Sequence, residues 1–336
     1  MTNFWNEKRV LVTGATGLVG SWLTKSLIEK GAYVVTLIRD LDPQSELIRS
    51  GLINKTQVVN GCLESFNSIE RAINEHEIDT VFHMGAQTIV GTALRNPLPT
   101  FEANIRGTYQ LLEACRMHMG LVKRVVVASS DKAYGDAKQL PYNEEMPLKG
   151  QHPYDVSKSC TDLLTNTYHH TYGLPTVIAR CGNIYGGGDL NWSRLIPGTI
   201  RSYLNNTAPI LRSDGQFTRD YVYVMDAVDA YMTMAEAANR KEVIGQAFNF
   251  GPSEPLSAMH IVQKLQVLMG KEDIKPVILN RAVGEIKDQF LCSAKAEKLL
   301  QWTPKYNLED GLKQTLQWYL SFFNKTKNFA DELAMV

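Results

Sequence analysis

The sequence predicts an α/β protein: a doubly wound parallel sheet followed by a smaller mixed α/β lobe. Three observations predict it. Short apolar, β-branched runs alternate with stretches of helical periodicity through the first 180 residues, the pattern of strands covered on both faces by helices. A glycine-rich turn, Thr13-Gly14-Ala15-Thr16-Gly17-Leu18-Val19-Gly20, joins the first strand run to the first helical one. The alternation then loosens after Gly186-Gly187-Gly188.

Arg9–Thr13 reads as the first strand and Val19–Lys30 as its helix. Tyr33–Arg39 and Gln57–Asn60 follow as strands, then Ser65–Asn74 as a helix and Thr80–His83 as a strand. A long helical stretch spans Thr100–Met119, before strand Arg124–Ser129, helix Asp155–Tyr172 and strand Thr176–Arg180. Right-handed crossovers between such strands give the doubly wound arrangement. Beyond it, helices are expected at Pro197–Leu204, Val224–Ala238, Ala258–Met269 and Leu308–Phe323, with Lys325–Val336 as a loosely held tail. The division read here is a dinucleotide-binding domain over 1–180 and a substrate lobe over 181–330, interleaved with the first.

Composition narrows the function classes. Of 336 residues, 44% are hydrophobic and 21% charged, the profile of an ordinary globular chain. The 35 basic and 35 acidic residues cancel, so no global field recruits nucleic acid or a membrane surface. No apolar run reaches the roughly 18 residues of a spanning helix, and Met1 to Arg9 lacks the pattern of a signal peptide. The five cysteines are scattered, without a Cys-x-x-Cys pair, and the adjacent His169 and His170 diverge on a helix. No metal site and a reducing, cytoplasmic setting are expected.

The glycine turn follows a strand and opens a helix, the context in which it binds a dinucleotide. Glycines let the backbone turn tightly and approach a pyrophosphate, and the helix N-terminus adds unpaired N–H donors and partial positive charge. This makes the N-terminal part a Rossmann-type module for NAD(P). The end of the second strand reads the adenosine ribose. Arg39 comes first after the apolar run and tilts the reading toward NADP, whereas Asp40, one residue later, favours NAD.

Tyr154 and Lys158 form a Tyr-x-x-x-Lys pair on one helical face. The Lys158 ammonium is expected to lower the Tyr154 phenol from about 10, so that it takes a hydroxyl proton as hydride departs. Tyr134 and Lys138 share the spacing but straddle Gly135 and Asp136, which predicts a loop without fixed geometry. Ser130-Asp131-Lys132 lies just past a strand, at the carboxyl end that faces the ligand crevice. The plain alternative for Asp131 and Lys132 is a solvated loop pair.

These residues resemble the extended short-chain dehydrogenase/reductase family over most of the chain. The matching segments include the glycine loop, Val81-Phe82-His83-Met84-Gly85-Ala86-Gln87, Asn104-Ile105-Arg106-Gly107-Thr108, Tyr154-Asp155-Val156-Ser157-Lys158 and Arg219-Asp220-Tyr221-Val222-Tyr223-Val224. Within that family, Ser129-Ser130-Asp131-Lys132 and Ala179–Asp189, with Arg194-Leu195-Ile196-Pro197, look most like nucleotide-sugar 4,6-dehydratases of the CDP-glucose type. The resemblance implies catalytic Tyr154, Lys158, Asp131, Lys132 and Ser130. Ser130 would bond the sugar 4-oxygen, Asp131 protonate the leaving 6-hydroxyl, and Lys132 stand where the C5 proton is transferred, as base, orienting donor or enolate stabiliser.

By the same resemblance the dinucleotide contacts are Gly14, Thr16, Gly17, Leu18, Val19, Gly20, Arg39, Cys62, Leu63, Met84, Ala86, Tyr154, Lys158 and Cys181. The nucleotide-diphosphate sugar is assigned Gln87, Ser130, Asn183, Arg194, Leu195 and Arg219, the arginines offering N–H forks for phosphate. NAD, recycled within each turnover, is the cofactor implied. Gly61-Cys62 departs from the family's Gly-Asp, and a thiol is a poor acceptor for the adenine amine. A homodimer through the helices near Thr100–Met119 and Asp155–Tyr172, with Leu111, Leu112, Leu163 and Leu164, is also implied. A 4-epimerase on the same scaffold needs no acid at Asp131, and a dinucleotide sensor without turnover needs no Tyr-x-x-x-Lys.

Overall fold

In the computed structural model, which describes residues 3–281 and 285–333, the chain begins β1 (Arg9–Thr13), α1 (Leu18–Glu29), β2 (Tyr33–Ile38), α2 (Glu46–Arg49), β3 (Gln57–Asn60) and α3 (Phe66–Glu75). It continues with β4 (Thr80–His83), α4 (Val90–Arg95), α5 (Leu98–Phe101), α6 (Gly107–Met117), β5 (Arg124–Ala128), α7 (Pro153–Tyr172) and β6 (Thr176–Cys181). Next come β7 (Asn183–Tyr185), α8 (Leu195–Leu204), β8 (Ile210–Leu211), β9 (Thr218–Arg219), β10 (Tyr221–Tyr223), α9 (Val224–Ala237) and β11 (Ala247–Phe250). The last elements are β12 (Leu256–Ser257), α10 (Ala258–Leu268), β13 (Val277–Ile278), β14 (Asp288–Gln289), α11 (Ala294–Leu300) and α12 (Leu308–Leu333).

Seven strands form the main sheet in the order β11-β6-β5-β4-β1-β2-β3, every pairing parallel. Strand periodicity sorts the apolar runs onto two faces. Val10, Val12, Phe82, Val126 and Val177 pack against Leu23 and Leu27 of α1 and Val228 and Tyr231 of α9. Leu11, Val35, Val81, Val125 and Val127 pack against Ile69 and Ile73 of α3 and Leu111 and Leu112 of α6. A third core under the second lobe joins Tyr185, Ile200, Tyr203, Tyr223, Ile261, Leu265 and Tyr319. The strand order reverses between β1 and β4, which opens a crevice at their carboxyl ends.

Several expectations change. Leu111 and Leu112 are fully buried in the chain's own core and cannot serve a pairing surface, and Leu164 packs beside that core. Leu163 alone of the four is exposed. The single helix expected over Thr100–Met119 is broken by a π turn at Glu102–Arg106. The hydroxyls of Thr108, one turn on, and of Thr161 on α7 both donate to the Asn104 carbonyl, at 2.6 and 3.1 Å, and compete for it with the α-helical ladder. The C-terminal helix runs on to Leu333, through most of the segment read as a tail; 334–336 lie outside the described residues.

Tyr134 is not in a loose loop. It is fully buried at the end of a 3-10 turn, Asp131–Tyr134, donates to Asn249 at 2.7 Å and accepts from Arg180 at 2.8 Å. Arg180 on β6 also grips Asp162 of α7 through two bonds, at 2.7 and 3.1 Å, and Ser129 donates to the same carboxylate at 2.5 Å. This network ties β5, β6 and α7 together beneath the crevice. Asp162→Ala leaves a buried guanidinium unpaired and is expected to cost about 3–5 kcal/mol, read as a lowered midpoint in urea unfolding.

Candidate active site

A cavity of about 1150 Å³ lies over the carboxyl ends of β1, β4, β5 and β6, and every residue singled out above as a cofactor, catalytic or sugar contact lines it. Its floor at one end is the glycine turn. Gly14 takes φ 68°, and a Cβ there would sit 2.7 Å from the Gly85 backbone. Gly20 packs still closer, since its Cβ would lie 2.1 Å from the Gly14 carbonyl oxygen. Gly17 caps α1 without a side-chain bond, which leaves the first-turn N–H groups facing the cavity for an acceptor. Gly20→Ala is expected to cost about 1–3 kcal/mol through overpacking. A fall in melting temperature together with weakened dinucleotide binding in titration calorimetry checks it.

The rim beyond β2 is less open than the sequence implied. Arg39 and Asp40 pair with each other at 2.6 Å, both exposed, so neither stands alone as a reader of the ribose. Cys62 and Leu63 line the wall past β3, and Met84 and Ala86 that past β4. Asn104, from the π turn, holds the Gln87 backbone through both its amide groups, at 2.7 and 3.0 Å. The Gln87 side chain folds onto Ile89, accepting from its N–H at 2.5 Å.

Tyr154 and Lys158 stand one turn apart on α7. Tyr154 is 9% exposed; burial pushes its phenol up to about 12, opposed by the Ser130 hydroxyl and the nearby Arg194 charge. Lys158 was expected to supply that opposition. Instead its ammonium donates to the Ala128 carbonyl at 2.7 Å, and burial brings it down to about 8 against the pull of Asp162. Cys181, across from them, is buried and its thiol is pushed up to about 12.

Ser130 leaves β5 extended and caps the 3-10 turn, accepting from the Lys132 N–H at 3.2 Å and donating to Asp131 at 2.9 Å. Asp131 is buried, not a solvated loop residue, and burial raises its carboxyl above the ordinary range although Lys132 and the Ser130 bond oppose this. Burial lowers the Lys132 ammonium, Asp131 opposes, and the Arg219 charge lowers it further.

Asn183 comes from β7 and Arg194 and Leu195 from the start of α8; Arg194 pairs with Asp189 at 3.0 Å. Arg219 is not a free fork. Its guanidinium donates to the carbonyls of Thr218 at 2.7 Å, Lys287 at 2.8 Å and Ile286 at 2.5 Å. Two further arginines, Arg212 and Arg281, line the same end and had no motif to announce them. Neither did Gln289, whose side-chain carbonyl accepts from Lys132.

Beside Arg219, Asp220 is buried between Gly182 and Gly251; its Oδ2 accepts from the Leu291 N–H at 2.6 Å and its Oδ1 has no partner among the described residues. Burial pushes it up from 3.8 to about 7, opposed by the Leu291 bond and reinforced by Asp131. The native state therefore holds this proton more tightly than the unfolded chain. The stability it contributes is complete below the ordinary carboxylate value and is lost as pH rises through about 7. Asp220→Asn is expected to abolish that part of the decline, which melting temperatures across this pH range will show.

Among the described residues no helix is long and apolar enough to cross a membrane, and no group of three or more His, Cys, Asp or Glu side chains is placed to hold a metal ion.

Residues 11–315 match the GDP-mannose 4,6 dehydratase family. A CDP-glucose 4,6-dehydratase of Salmonella typhimurium is 30% identical, over 94% of this chain and 92% of that protein. Among solved structures, a UDP-glucose 4-epimerase of Thermotoga maritima with UDP-glucose superposes at a TM-score of 0.85 and 27% identity, over 94% of this chain and 99% of that one. A dTDP-glucose 4,6-dehydratase of Bacillus anthracis in complex with NAD does so at 0.81 and 25%, over 94% and 97%.

Proposed function

We propose that this chain, which belongs to the GDP-mannose 4,6 dehydratase family of extended short-chain dehydrogenases/reductases, is a nucleotide-sugar 4,6-dehydratase acting on a nucleoside-diphosphate hexose of the CDP-glucose class. One observation carries the reading beyond the family: Asp131, buried and with its carboxyl raised above the ordinary range, shares a cavity with Tyr154. Epimerisation at C4 has no use for such an acid; expulsion of the C6 hydroxyl does.

A dinucleotide fits the glycine cradle, since a Cβ at Gly14 or Gly20 would occupy the space the backbone needs for its close turn. When bound, its nicotinamide would supply a reversible two-electron sink, holding the hydride lost from C4 until it is given back at C6, so that none is consumed over a turnover. Gly14, Thr16, Gly17, Leu18, Val19 and Gly20 hold the pyrophosphate end, with Arg39, Cys62, Leu63, Met84, Ala86 and Cys181 along the rest. The Arg39–Asp40 pair blunts the cationic welcome for a 2′-phosphate, and the solved relative carries NAD, so NAD is the cofactor of this reading.

Tyr154 takes the C4 hydroxyl proton, with Ser130 bonding the same oxygen and Lys158, anchored at the Ala128 carbonyl one turn along α7, completing the catalytic face. The ketone at C4 acidifies C5–H. Lys132 removes that proton, and its electron pair delocalises into the C4 carbonyl as enolate. The C6–O bond then breaks as Asp131 protonates the departing oxygen and the enolate pair forms the C5–C6 double bond; water leaves, C6 receives the hydride lost from C4, and Lys132 gives its proton back to C5, which leaves a 4-keto-6-deoxy sugar. Gln87, Asn183, Arg194, Leu195 and Arg219 line the sugar and diphosphate end. Residues 1–180 act as the cofactor domain and 181–330 as the substrate lobe. A homodimer uses the exposed side of α7 at Leu163, and the five unpaired cysteines favour a reducing, cytoplasmic setting.

Incubation with CDP-, UDP-, GDP- and dTDP-glucose tests the reading. A product lighter by one water must form without added reductant. An isomer of unchanged mass favours instead the 4-epimerase, the second reading, which the fit to a UDP-glucose 4-epimerase supports.

A further inference from the structure

Lys132 sits in the catalytic turn after β5, yet its ammonium bonds to a side chain more than 150 residues further along, the Oε1 of Gln289 on β14. Gln289 is fully buried, and its Nε2 has no partner among the described residues. The amide is thus held by its acceptor end alone. β14 lies beside β9 in parallel, with Gln289 in register with Arg219, and the Arg219 guanidinium clamps the incoming segment through the Ile286 and Lys287 carbonyls. Gln289 is therefore placed against Lys132 by backbone pairing and by a buried arginine.

The charge around Lys132 is finely divided. Asp131, Asp155 and Glu285 favour its ammonium form, while burial and Arg219 oppose it. An uncharged carbonyl orients the lysine without adding to either side. A carboxylate at the same place would add a fourth anion at hydrogen-bond distance and hold the proton on.

We propose that Gln289 is a positioning residue for proton transfer at C5: its neutral amide aims Lys132 at the sugar while leaving the lysine able to exist as the amine, so residue 289 sets the pH range in which water is lost. This rests on the reading of Lys132 as the group that serves C5. The neutral Lys132 amine takes the C5 proton, the C5–H electron pair passes into the enolate, and the C6 oxygen leaves with the Asp131 proton; nothing else is consumed.

Gln289→Glu and Gln289→Met test it in the full-length enzyme. For Gln289→Glu the acidic limb of the pH–rate profile for water loss is expected to move alkaline by about one unit or more, with KM little changed. For Gln289→Met, which keeps the volume and loses the strong acceptor, kcat is expected to fall roughly a hundredfold at constant KM. In the same variant, washing of solvent deuterium into C5 falls relative to formation of reduced nicotinamide. If Gln289→Glu fails to fold, the Gln289→Met exchange ratio decides. A dehydrating wild type whose variants keep its pH profile and its exchange ratio overturns this inference alone. A wild type that only isomerises the sugar overturns the reading of Lys132, and this inference with it.

Discussion

Tyr154→Phe is expected to lower kcat roughly a thousandfold, within the usual range for removing a positioned general base. The ring sits buried on α7 and its packing survives, so only the hydroxyl is lost. The variant should melt as the wild type does and bind dinucleotide and nucleotide sugar with little change, leaving the chemical step as the casualty. Burial pushes the phenol up to about 12, so it holds its proton at neutral pH until something in the active complex draws it off. In wild type the rate should accordingly rise with pH on the acidic side, and in Tyr154→Phe that limb should vanish. Single-turnover formation of reduced nicotinamide across a pH series reads both. A variant that keeps the limb and loses only affinity would show Tyr154 to be a binding residue.

Asp131→Asn is expected to slow water loss by roughly a hundred- to ten-thousandfold while sparing the first step. Asparagine retains the size and can still accept from Ser130, but it has no proton to give the departing oxygen. The substrate should then be oxidised at C4 and reduced again, and recovered sugar should carry solvent deuterium at C5. Because burial raises the Asp131 carboxyl, the wild type should also lose dehydration as pH rises through that raised value, and the loss should be absent from the C4 step. A 4-epimerase would be nearly indifferent to the substitution. Both readings use Tyr154 and Lys158, so this carboxyl is where they part.

The sheet was legible because strands covered on both faces read as short apolar, β-branched runs. β1, β3 and β4 stand where those runs put them, and the glycine turn was readable because only glycine suits its backbone. The π turn at Glu102–Arg106 was not legible, since its cause is a hydroxyl from another helix. Tyr134 was misread for the same reason: Gly135 signals a turn, but the Arg180 and Asn249 that fix the ring are distant in sequence. At the site, types of side chain were readable and their partners were not. Arg219 read as a phosphate fork until the carbonyls it grips were seen, and Lys158 read as the cation that perturbs Tyr154 until the Ala128 oxygen claimed it. Gln289 carries no motif at all; it matters only through the strand pairing that delivers it.

The position of β11 bears on how such enzymes exchange parts. This strand comes after α8, α9 and the second lobe's first strands, yet it completes the edge of the main sheet against β6. A segment cut at Arg180 and transplanted between relatives would carry away Ala247–Phe250, and with it the cover of β6 and the Asn249 that anchors Tyr134. New sugar specificities in this scaffold are therefore more readily acquired through changes in segments such as 186–194 than by shuffling whole lobes. The architecture permits drift in what is bound and resists recombination of what binds it.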